Sequence, residues 1–120
     1  MLLMVGPGFA GARAVADCMK WVLRTDVSGP GPQTRHCMTY NPDRKRVVLF
    51  TADAAADLWE FDGVRWDRIF VAGPQPSARL DSAMTYDRRR HELVLVGGFG
   101  HAEQTELGDT WTCRISTDGT

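Results

Sequence analysis

Short apolar runs alternate along this chain with clusters of Gly, Pro, Asp and Arg, and no long stretch keeps a convincing helical period. Runs of that kind bounded by turn residues read as β-strands. The first, strand a, is predicted over His36 to Asn41. A polar turn, Pro42 to Lys45, leads into strand b, Arg46 to Phe50, and the loop Thr51 to Ala56 leads to strand c, Asp57 to Phe61. Asp62-Gly63 predicts a two-residue hairpin turn, because both residues tolerate positive φ. Strand d then covers Val64 to Phe70, and Gly73-Pro74-Gln75-Pro76 forces a loop. A second set follows: a over Ser82 to Asp87, b over Glu92 to Val96, c over Thr110 to Ile115. Only Ala10 to Leu23 offers a weak helical spacing.

The two sets are copies. Met38-Thr39-Tyr40-Asn41 recurs as Met84-Thr85-Tyr86-Asp87, and Val47 to Phe50 aligns with Leu93 to Val96, both at an offset of 46 residues (86 − 40). Asp57-Leu58-Trp59 recurs as Asp109-Thr110-Trp111 at an offset of 52 (111 − 59), so the second b–c loop is longer by six residues. Trp21 corresponds to Trp66. The b strands are continuously apolar. A strand covered on one face alternates apolar with polar positions, and one covered on both faces does not. Each small sheet should therefore lie between two others. Radially stacked four-stranded sheets, a β-propeller, satisfy this, and a β-sandwich is the competing architecture. The meander and its regular period favour the propeller.

At this point the residues resemble the kelch repeat. Pro76, Arg79, Met84 to Asp87, Leu93 to Val96, Gly97-Gly98 and Asp109-Thr110-Trp111 match its pattern in the second copy. In the first, Pro32, His36, Met38 to Asn41, Val47 to Phe50, Trp59, Phe61-Asp62-Gly63 and Trp66 match it. The resemblance spans residues 20 to 119. It departs at Thr51-Ala52, which replaces the double glycine, at Gln33, which replaces the arginine, and at Ser82, which replaces the histidine. The resemblance implies an all-β, kelch-like propeller fragment with antiparallel blades. On this reading residues 1–19 are an amino-terminal segment of unclear structure and 20–32 carry an orphan last strand around Trp21 with its loop. Blade 1 spans 33–76, and blade 2 spans 77–120 without its last strand. Two blades leave the ring incomplete. A piece of a longer propeller, self-association that completes the ring, and an open pair of sheets with exposed edges are the three outcomes.

Composition changes this picture little. The chain has 120 residues, 43% hydrophobic and 24% charged, with a formal net charge of −1, which suits one small globular domain. The balanced charge makes nucleic acid an unlikely partner, and no run is long enough to span a membrane as a helix. Gly6-Pro7-Gly8 interrupts the amino-terminal apolar run, so no export signal is read and the cytoplasm is favoured, with no compartment fixed. Cys18, Cys37 and Cys113 have no metal or redox spacing and read as small buried hydrophobes, and His36 and Cys37 should point to opposite faces.

No phosphate loop or zinc motif occurs, and neither cofactor nor metal is expected. His101 with Glu103 and Glu106 is too sparse for a metal site. Asp57 and Asp109 read as strand caps. Arg44-Lys45-Arg46 and Arg88-Arg89-Arg90 occupy equivalent a–b turns and read as solvated turns or a patch for anions. Trp21, Trp59, Trp66, Trp111, Tyr40, Tyr86, Gly97 and Gly98 are structural repeat positions. The resemblance implies a non-catalytic protein-binding or scaffold module with an unidentified protein partner. Its site falls on loops Thr51 to Ala56, Ala72 to Ala78 and Phe99 to Leu107. Arg35, Arg79 and His101 are the candidate contacts, although Arg79 could instead tie blades together. The alternative is part of a kelch-like propeller enzyme of oxidase, lyase or epimerase type.

Overall fold

Nine strands and no helix make up residues 19–116, the part of the chain that the computed structural model describes. Strands β1 (Cys37–Asn41), β2 (Arg46–Phe50), β3 (Leu58–Phe61) and β4 (Trp66–Ile69) form a four-stranded antiparallel meander. Strands β6 (Ala83–Asp87), β7 (Glu92–Val96) and β9 (Thr110–Cys113) form a three-stranded sheet, and β5 (Arg79–Leu80) pairs with β8 (Phe99–Gly100). No sheet closes on itself.

The two sheets share one register. Tyr40 faces Val47 across β1 and β2 as Tyr86 faces Leu93 across β6 and β7, and Leu49 faces Trp59 as Leu95 faces Trp111. Their turns match as well. Asn41 Oδ1 accepts the N–H groups of Asp43 (3.0 Å) and Arg44 (3.3 Å), and Asp87 Oδ1 accepts those of Arg89 (2.9 Å) and Arg90 (3.1 Å). An Asx side chain that mimics a backbone turn explains why Asn and Asp stand there. Lys45 (φ 55°) and His91 (φ 58°) close these turns in the left-handed region, and Arg35 (φ 58°) and Asp81 (φ 57°) do so before β1 and β6.

Side chains opposite one another in a ladder share a face. Cys37, Thr39, Val48, Phe50, Leu58 and Glu60 form one face of the first sheet, here face A. Met38, Tyr40, Val47, Leu49, Trp59, Phe61 and Trp66 form the other, face B. In the second sheet Ala83, Thr85, Val94, Val96, Thr110 and Thr112 make face A, and Met84, Tyr86, Leu93, Leu95, Trp111 and Cys113 make face B. Face A of the first sheet packs on face B of the second: Cys37, Phe50 and Leu95 form a buried core, and Leu58, Met84 and Trp111 pack against it. Each fully buried aliphatic side chain here contributes about 2 kcal/mol by leaving water. The stack is head-to-tail, with unlike faces meeting. The sheets come closest along β1 and β6 and diverge toward β3 and β9.

Several expectations are corrected. Lys20 to Leu23 is not a strand: Trp21 is fully exposed, and none of the described strands lies beside it to pair with it. A strand needs a partner for its backbone groups, so its apolar sequence alone does not order it. The helical spacing of Ala10 to Leu23 falls largely outside the described residues, and 19–23 is not helical. The hairpin turn sits one residue later than Asp62-Gly63. Asp62 Oδ1 accepts the N–H groups of Val64 and Arg65, both at 2.8 Å, so Asp62 opens the turn and only Gly63 (φ 99°) takes positive φ. Within the longer second b–c loop, Phe99–Gly100 forms β8. Strand β2 is covered on both faces, with Val48, Leu49 and Phe50 all buried, but β7 is covered on one only: Leu93 and Leu95 are buried and Val96 is 44% exposed.

Candidate functional site

Three connections converge at one end of the stack, where β1 and β6 begin and β2 and β7 end. The His101 N–H donates to the Ala78 carbonyl (2.9 Å), and His101 Nε2 donates to the Ala52 carbonyl (2.9 Å). Ser77 Oγ donates to Glu103 (2.8 Å). One histidine thus links all three loops expected to form a face: 51–56, 72–78 and 99–107.

The loops close in different ways. In the second copy Gly97 (φ 67°) and Gly98 (φ 101°) turn the chain from β7 into β8, and a Cβ on Gly98 would sit 2.6 Å from the Leu80 carbonyl oxygen. Only glycine fits there. The first copy turns at Thr51-Ala52 instead. The Thr51 N–H donates to the Asp57 carbonyl (2.9 Å), as the Gly97 N–H does to Asp109 (3.1 Å), and Thr51 Oγ1 accepts from Asp57 N–H and donates to Asp53, both at 2.9 Å. A buried hydroxyl network does the work of the glycine pair.

Arg79 is buried, 1% exposed, and all five of its N–H donors are used inside the chain. Nε donates to the Ser77 carbonyl (3.0 Å) and Nη1 to the Gly97 carbonyl (3.1 Å) and Asp109 Oδ1 (2.6 Å). Nη2 donates to Ser77 Oγ (3.2 Å) and Asp109 Oδ2 (3.0 Å). It clamps three connections of one copy and has no donor left for a partner. Asp109 also accepts from Trp111 Nε1 (2.8 Å). The Arg79 guanidinium and then the Trp111 N–H hold the Asp109 carboxyl at about 2. Gln33, at the equivalent position in the first copy, donates to the Pro30 carbonyl (3.1 Å), and Asp57 pairs with Arg68 instead (2.6 Å).

Arg35 is exposed at the same end and pairs with Asp81, its own repeat equivalent, through Nε (3.1 and 3.0 Å) and Nη2. Each partner keeps about half its side chain in water. Such a pair contributes little to stability and can be exchanged for a partner's carboxylate. Behind these loops the diverging sheets enclose an apolar cleft of about 280 Å³, lined by Phe50, Leu58, Pro74, Met84, Leu95 and Trp111 among others.

The other candidates fall elsewhere. Trp59 is half-buried on face B of the first sheet, and Trp66 stacks beside Phe61 with centroids 5.0 Å apart. Tyr40 is exposed, whereas its equivalent Tyr86 donates to Asp43 in the first sheet's a–b turn, where His91 Nδ1 also donates (2.7 Å). Glu60, buried in the first sheet, holds Arg44 in a bidentate pair (2.7 and 2.8 Å), and Asp87 holds Arg90 (2.9 Å), so a carboxylate holds one arginine of each basic triplet, while Arg46 donates to the Arg44 and Lys45 carbonyls. Cys37 is buried against Ser82 Oγ (3.3 Å) while His36 is exposed. Burial pushes the Cys37 and Cys113 thiols up, away from reactivity. Cys18 lies outside the described residues. Among the described residues no group of three or more His, Cys, Asp or Glu could hold a metal ion.

Sequence reasoning missed Asp43 and Asp81 as junction residues. Asp81 was legible as the equivalent of Arg35 with opposite charge. Asp43 was not, because its partners belong to the other copy. Compared with known proteins, the chain matches no family model and no curated protein.

Proposed function

We propose that the chain is a non-catalytic protein-binding or scaffold module of kelch-repeat type, its two sheets acting as successive blades of a β-propeller. The head-to-tail stacking, the shared register and the divergence of the sheets from β1 and β6 support the propeller reading. The observation that carries the functional reading is the convergence of three loops through His101, two of which also line the apolar cleft, through Ala56 and through Ala72, Pro74, Gln75 and Pro76. Such a face suits an extended protein segment, with an apolar side chain in the cleft and a carboxylate exchanging onto Arg35. Arg79 serves this face as a positioning residue, by fixing the loops around it.

Cross-linking of the chain to proteins of its host extract, read by mass spectrometry, tests this. A folded loop-face variant, Arg35→Glu with Pro74→Glu, should lose the partner cross-links. Arg65→Glu, in the β3–β4 turn at the opposite end, should keep them. Cross-links unchanged in the loop-face variant would contradict the assignment.

A further inference from the structure

The junction between the two sheets can be repeated between molecules. Within the chain, face A of the first sheet covers face B of the second. Among the described residues that leaves the first sheet's face B and the second sheet's face A, which repeat the buried faces in register along β1, β2, β6 and β7, while Thr110 and Thr112 stand where the buried face has Leu58 and Glu60. Face B carries exposed Met38 and Tyr40, half-buried Trp59, and Leu49, which is already buried within the chain, where the covered face has Met84, Tyr86, Leu95 and Trp111. Face A presents Ala83, Thr85, Val94 and Val96 where the buried one has Cys37, Thr39, Val48 and Phe50. At the internal junction the large side chains of face B meet Cys37, Thr39, Val48 and the Phe50 ring, and on the outer face A Val96 stands in place of that ring. Met38, Tyr40 and Val96 are 53%, 49% and 44% exposed, so the two outer faces carry apolar surface of a kind that is covered at the junction.

We infer that a second copy of this chain covers these faces, the second sheet of one molecule docking by its face A on the face B of the next. Charge supports the same register. Arg35 pairs with Asp81 across the internal junction, and the repeat places Asp81 of one molecule beside Arg35 of the next, an ion pair of reversed order. The loop of residues 27–33 does not block the docking. Gly29 already lies against Trp66 on face B, as residues 71–76 already line the cleft beside Trp111 and Cys113. Three contacts of the internal junction are not repeated: Cys37 against Ser82 becomes Ala83 against His36, His101 on Ala52 has no counterpart in the shorter first b–c loop, and the Asp43 cluster changes charge. Asp43 receives Tyr86 and His91 in the internal junction, but its equivalent, Arg89, would meet Tyr40 and Lys45. A heterologous contact closes into a ring when each step carries a rotation. Because the sheets converge at β1 and β6 and diverge outward, each step turns about that inner edge. Rings of about 4–8 sheets are the geometrically usual ones, which means about two to four copies.

This inference stands on the internal junction and not on the loop-face reading, and either can fail alone. The test is the mass of the purified full chain by light scattering across a concentration series. The wild-type chain should reach one discrete mass, about two to four times 13.3 kDa. Val96→Arg and Met38→Arg should each stay at 13.3 kDa with unchanged circular dichroism. Mixed together, they should form a one-to-one dimer, since each retains the face that the other needs. Arg89→Asp should lower the concentration at which the ring forms by about tenfold, by supplying the missing acceptor. A wild-type chain that stays monomeric, growth without a limiting mass, or a Val96→Arg chain that still assembles would each overturn the proposal. So would an Arg89→Asp chain that assembles no more readily, or a mixture that gives no dimer.

Discussion

Arg79 shows how much one side chain can organise. Its planar fork meets five acceptors on Ser77, Gly97 and Asp109, a pattern that a lysine cannot reproduce. Arg79→Ala should cost about 3 kcal/mol in urea unfolding, because buried acceptors lose their donor, and Arg79→Lys should recover less than half of that. A lysine variant as stable as the parent would show that the fork is not what matters. The two kinds of glycine should also separate. Gly63→Ala places its Cβ in open space and should cost about 1 kcal/mol for the left-handed backbone. Gly98→Ala adds a contact with the Leu80 carbonyl and should cost at least about 2 kcal/mol.

At the scale of elements, the strands of both copies were legible because their alternation of apolar runs and turn residues is strong, and β2 and β7 match their expected bounds to the residue. Pairing was legible only where two copies could be laid over each other. Trp21 matched Trp66 in sequence, yet Trp66 has β3 beside it and Trp21 has no paired strand, so the same residue type is half-buried in one place and exposed in the other. Ribbon β5–β8 was invisible because two-residue strands carry no period. The loop face was legible in outline, as three loops at one end. The role of Arg79 within it was not, because its partners depend on how the double glycine turns. Asp109 offers a pH test of that connection. Its folded value, about 2, lies below its ordinary 3.8, so its contribution is complete above about pH 4 and is lost as pH falls toward 2. With 40% of the side chain in water the effect is screened to about 1 kcal/mol. The melting-temperature difference between the parent and Asp109→Asn should therefore narrow through that window, and a constant difference would contradict the pairing.

The whole molecule is held at the meeting of unlike faces, with Arg35–Asp81 at one end of the junction and Tyr86–Asp43–His91 at the other. Burial first, then the Asp43 carboxylate, pushes the Tyr86 phenol up to about 12. The contribution of this group is complete below its ordinary value of 10.0 and disappears as pH rises through about 12. A stability loss in that alkaline range that is smaller in Tyr86→Phe checks the contact. The most direct measurement of the whole account is a set of nuclear Overhauser contacts from the Met84 methyl group. Head-to-tail stacking predicts contacts to the Phe50 ring and the Cys37 β-protons. Contacts from Met84 to Met38 and Leu49 instead would mean that like faces meet, and would contradict it.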